Sequence, residues 1–81
     1  MIDWTKPIET VPCDRNPVPV PCEFVGFDEN GDAMAFICGE WHDKAGLDLQ
    51  NKLGMAWFFD DEGDPHYAPL PFIRNVEESE A

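Results

Sequence analysis

Cys22-Glu23-Phe24-Val25-Gly26-Phe27, then Asp28-Glu29-Asn30-Gly31-Asp32, then Ala33-Met34-Ala35-Phe36-Ile37 and on to Trp41 is the stretch that decides the fold. The first block carries strand-type residues. Asn-Gly inside the second is a strong short-range hairpin signal, because both residues tolerate positive φ. The third block reads as the return strand, apolar on both faces at first, as a central strand is. A hairpin here commits the chain to an antiparallel sheet.

The flanks extend that reading. Upstream, Pro7, Pro12, Pro17, Pro19 and Pro21 exclude helix and weaken any interior strand, since proline donates no backbone hydrogen bond. Residues 1–21 therefore read as an extended arm running into an edge strand, with Ile8, Val11, Val18 and Val20 packing on a core. Trp4 sits in this arm and is expected to pin it on the sheet. Downstream, 42–54 is the sole helix candidate: Leu49 and Leu53 are four apart, Asp48 suits a first turn and Gly54 a helix end. Residues 55–59 read as a third strand with Met55, Trp57 and Phe59 on one face. Asp60-Asp61-Glu62-Gly63-Asp64-Pro65 is a second turn. Residues 66–76 form a fourth strand, interrupted by Pro69 and Pro71 and so placed at an edge, and 77–81 an acidic frayed tail. The expectation is one β-dominated domain over 1–81: a small twisted antiparallel sheet of about four strands, meander or partly open barrel, with one short helix.

Seventeen acidic residues against five basic ones give a formal charge of −12 on 81 residues. Aromatic residues make up 12% of the chain, more than a disordered acidic segment carries. The basic residues Lys6, Arg15, Lys44, Lys52 and Arg74 are dispersed and make no stripe, so direct nucleic-acid binding is disfavoured. No apolar run is long enough to span a bilayer. Cys13, Cys22 and Cys38, an odd count without a secretion signal, point to free thiols and a cytoplasmic setting.

In a meander, successive turns alternate between the ends of the sheet. The 28–32 and 60–64 turns then fall at one end, and the 42–54 connection at the other. Asp28, Glu29, Asp32, Asp60, Asp61, Glu62 and Asp64 would share one rim, with Trp41 as an aromatic anchor for a partner. Such a rim imitates a run of backbone phosphates, which DNA binders match with lysine and arginine. The plainer reading is that aspartate favours turns and charge favours solubility.

Other chemistry is thinly represented. Counted as twelve-residue calcium loops, the two turns put Ala33 and Pro65 where glycine is required and Gly39 and Pro71 where glutamate is required. Cys13, Cys22, Cys38 and His42 have zinc-ligand chemistry, yet no Cys-x-x-Cys occurs; free cysteines of this kind are usually apolar packing. The single serine is Ser79, and no phosphate-binding glycine loop is present. No enzyme activity and no cofactor is expected.

The segment Asp3-Trp4-Thr5-Lys6-Pro7-Ile8-Glu9-Thr10, followed by Asp14-Arg15-Asn16-Pro17-Val18, resembles the opening of small uncharacterised phage and prophage proteins. There the pattern reads D-W-[ST]-K-P-I-E-T and then D-G-R-P-V, followed by a tryptophan before an acidic-glycine turn and a closing [LI]-x-N-V. Trp57, the Asp61–Asp64 turn and Ile73-Arg74-Asn75-Val76 match that later part. Asp-Arg-Asn-Pro-Val departs from it, and the 42–54 connection is longer. The resemblance implies phage origin and a small β fold, and carries no activity. With the charge, it yields a functional expectation: an acidic protein in the bacterial cytoplasm that occupies the basic groove of a host nucleic-acid-handling defence protein, as an anti-CRISPR DNA mimic would. The alternatives are a phage structural or assembly protein, and a small zinc-stabilised module.

Overall fold

The hairpin forms where the sequence places it. The computed structural model describes residues 1–51, 56–67 and 70–76. Strands β1 (Ile8–Thr10), β2 (Pro21–Phe27), β3 (Ala33–Ile37), β4 (Trp57–Phe59) and β5 (Ile73–Asn75) make one antiparallel sheet in the order β4-β3-β2-β1-β5, with helix α1 (Lys44–Gln50) between β3 and β4. The sheet curls into a half-barrel.

Small residues at the centre of the sheet make that curl possible. Ala33, Ala35 and Ile37 are buried on the inner face of β3, with Met34 and Phe36 half-buried on the other. Ala35 lies opposite Phe24 on one side and Trp57 on the other; Ala33 lies opposite Phe27 and Phe59. The alanines leave room for these rings, so large and small side chains interdigitate across strands. Phe59, Ile8, Ile37, Leu49, Leu70 and Ile73 fill the concave side.

The arm departs from expectation. Its strand β1 is interior, with β2 on one side and β5 on the other. Pro7 and Pro12 bracket the strand and leave it uninterrupted, so Ile8, Glu9 and Thr10 pair on both edges and are all buried. Flanking bonds complete the ladder: Thr10 N to Val20 O at 2.9 Å and Val11 N to Phe72 O at 2.7 Å. Glu9 stays ionically satisfied through Arg74 on β5, at 2.8 Å.

The last strand is an edge strand, as expected, but shorter and on the far side of the sheet. It pairs with β1, so the chain after β4 crosses over and the simple meander ends there. β5 is also tied to the turn after β4: Ile73 N donates to Gly63 O at 3.0 Å. The return strand of the hairpin, β3, is trimmed as well. It stops at Ile37, ahead of Gly39, whose φ is +99°. Met55, Gly54 and the 77–81 tail lie outside the described residues.

Helix α1 begins at Lys44, too early for Asp48 to lie in its first turn. Asp43 caps it, its carboxylate accepting from Gly46 N at 2.6 Å, so Asp48 falls in the body of the helix. The buried Asn16 ties the arm to this cap: it donates to Asp43 Oδ2 at 3.4 Å and accepts from His42 N at 3.1 Å. A helix this short depends on packing, here through Leu49.

Candidate functional site

The two acidic segments fold into copies of one turn. In the first, Asp28 Oδ1 accepts the amides of Asn30 at 2.9 Å and Asp32 at 2.8 Å, Gly31 N donates to Asp28 O, and Asp28 N donates to Asp32 O. In the second, Asp60 Oδ1 accepts the amides of Glu62 and Asp64, both at 2.9 Å, Gly63 N donates to Asp60 O, and Asp60 N donates to Asp64 O. The fourth residue of each is a glycine in the left-handed region, with φ of +86° at Gly31 and +81° at Gly63. This is the three-residue hairpin loop, a turn closed by a glycine bulge. Asn30 does not take positive φ, so the Asn-Gly pair works here through its glycine alone.

Strand register puts both turns at one end of the sheet. Ala33, which follows the first, pairs with Phe59, which precedes the second. Phe59 also bridges to Pro65, so the second turn is itself a small hairpin beside the first. With strands about 4.8 Å apart, the turn centres lie about 10 Å from one another. His66 Nε2 stands 3.5 Å from Asp32 Oδ1 and links them.

Asp28, Glu29, Asp32, Asp60, Asp61, Glu62 and Asp64 therefore occupy a common rim. Their roles differ. Asp28 and Asp60 are half-buried and build the turns. Glu29, Asp61, Glu62 and Asp64 are exposed, with Glu62 Oε2 3.4 Å from the amino group of Met1. Trp41 does not join them. It follows β3 at the opposite end, where its indole covers Gly46 of α1 and packs on the core, and its buried Nε1 has no hydrogen-bond partner among the described residues.

The zinc grouping does not assemble. Among the described residues no set of three or more His, Cys, Asp or Glu is placed to hold a metal ion, and Cys13, Cys22, Cys38 and His42 all belong to those residues. Cys13 is exposed, while Cys22 and Cys38 are half-buried. Burial, with lesser contributions from the neighbouring Cys38 and Glu9, pushes the Cys22 thiol up to about 12, so it stays protonated at neutral pH.

An aromatic group adjoins the rim. Trp4 stacks on Phe24 with ring centroids 5.5 Å apart, as an arm pinned to the sheet should. Phe27 meets Trp4 edge-on at 6.4 Å and Phe24 at 5.2 Å. Phe24 and Phe27 are three apart yet share the inner face, because a bulge between Phe24 and Gly26 shifts the register. The glycine inside the strand was the sequence signal for that bulge. The arm is fixed by the buried Asn75, which accepts from Asp3 N and donates to Asp3 O, both at 2.8 Å.

Comparison with protein-family models, with curated proteins and with solved structures gives no match for this chain.

Proposed function

We propose that this protein is an acidic binding module that occupies a basic groove on another protein and keeps nucleic acid out of it. The observation that supports this is the convergence of two identically built acidic turns on one rim. A rigid hairpin presents carboxylates in a fixed array, much as a duplex presents phosphates. The field of the rim steers a basic partner toward it, typically raising encounter rates by about 10–10³-fold. With the phage-like opening segment, the partner class that fits is a host protein that grips DNA or RNA, and inhibition of a defence nuclease is the role.

Competition tests the reading. Labelled duplex DNA is bound to each of a panel of nucleic-acid-handling nucleases, and the protein is titrated in. Displacement that weakens steeply as salt rises from about 50 to about 200 mM supports it. Reversal of Glu29, Asp61 and Asp64 to lysine should abolish displacement; these side chains are exposed and do not build the turns. Failure to displace duplex from any panel member at low salt, or displacement indifferent to both salt and charge reversal, overturns it.

A further inference from the structure

A recess of about 480 Å³ adjoins the two acidic turns. Met1, Ile2, Asp3, Trp4, Phe24 and Phe27 are among the residues that line it. One wall, Phe27, runs directly into the first turn at Asp28. The opposite wall is tied to the second: Ile2 N donates to Asp61 O at 2.9 Å, and the Met1 amino group meets Glu62. Phe27 is 54% exposed despite lying on the inner face, so an aromatic surface stays open to solvent next to the first acidic turn.

We propose that this recess seats an arginine side chain of a basic partner, with the guanidinium lying on the rings of Trp4 and Phe27. The proposal rests on the reading of the rim as a binding surface, and names what the rim grips. Charge complementarity selects the occupant. An apolar group would gain burial only, whereas a cation gains both the ring faces and the Asp3 carboxylate of the lining. Nucleobases suit aromatic floors, but their phosphates are repelled here. Arginine fits better than lysine because its planar group stacks and sheds water more readily. The Asp3 carboxylate adds a fixed anion: hydrogen bonds from the Thr5 hydroxyl and amide, and then the nearby Lys6, hold it below the usual carboxylate range.

The test is a two-dimensional NMR titration of the whole protein with three short glycine-spaced peptides, carrying arginine, lysine or the neutral isostere citrulline. The arginine peptide is expected to shift the Trp4 indole N–H and the Phe27 ring. The citrulline peptide should leave both unmoved, and lysine should act more weakly than arginine. Phe27→Leu keeps apolar volume and loses the ring, so it should weaken arginine binding about three- to tenfold. Trp4→Phe serves as the second variant should Phe27→Leu disturb the fold. Shifts confined to the turn amides, with no effect of Phe27→Leu or Trp4→Phe, overturn the arginine seat and leave the rim reading standing. Shifts at Trp4 that persist at high salt and survive reversal of Glu29, Asp61 and Asp64 overturn the rim reading and leave the seat. No shift anywhere at millimolar arginine peptide overturns the seat.

Discussion

An alanine inside a helix ordinarily stabilises it by about 1 kcal/mol relative to glycine. At position 46 the sign should reverse. A Cβ there would overlap the indole of Trp41, which rests against the helix at this position. Gly46→Ala is therefore expected to lower stability by about 1–3 kcal/mol, the usual range for overpacking. A urea titration measures it, and a gain in stability would mean that Trp41 does not rest on Gly46. Cys22 gives a second residue-scale expectation, this one in pH. Its folded thiol titrates near 12 against an ordinary value of 9.0. A raised value means stability is whole below pH 9 and is lost as pH climbs toward 12. At about pH 10.5 the loss attributable to this group is about 2 kcal/mol. Comparing the alkaline slopes of the parent and Cys22→Ala in urea isolates it, since the variant should lack that part of the decline.

Among the elements, the twin turns allow a matched experiment. Both need a glycine at positive φ, so alanine strains either one, at a cost of about 1 kcal/mol. Gly31 has open space around it, whereas a Cβ on Gly63 would collide with the Ile73 carbonyl and the Ile2 side chain. Gly31→Ala should thus be tolerated with a loss of about 1 kcal/mol, and Gly63→Ala should cost more than twice that or prevent folding. Equal melting temperatures for the two variants would contradict the rim closure that Gly63 makes with β5. These turns also mark how far the sequence can be read. Their position, the β2–β3 pairing and the helix near Leu49 were legible, because glycine, asparagine and leucine spacing are local signals. Their convergence on one rim was legible too, since it follows from strand order alone. The interior place of β1 was not, because Pro7 and Pro12 look like strand breakers until the three residues between them are seen paired on both sides. The crossing of β5 to β1 depends on Gly63 meeting Ile73, a contact between distant positions that no local pattern announces. The aromatic recess was legible only in part: Phe24 and Phe27 share a face through the bulge at Val25, which Gly26 signals, whereas plain alternation assigns them to opposite faces.

For the molecule as a whole, the charge that serves binding works against folding. A formal charge of −12 repels itself most strongly where the carboxylates converge, at the rim of two turns. Salt screens that repulsion: the Debye length falls from about 30 Å at 0.01 M to about 3 Å at 1 M, well below the roughly 10 Å between the turns. Sodium chloride should therefore raise the melting temperature across this range, by about 4–8 °C if the relief is near 1 kcal/mol. Reversing Glu29, Asp61 and Asp64 to lysine changes each by two charges and brings the total from −12 to −6. That variant should melt higher than the parent at low salt and gain less than half as much from added salt. The same substitutions are those expected to abolish binding to a basic groove, so stability and function should move in opposite directions at these three positions. If the parent shows no salt-dependent gain, or the reversed variant is the less stable at low salt, the turns do not pool their charge, and the electrostatic basis for a basic partner fails with them.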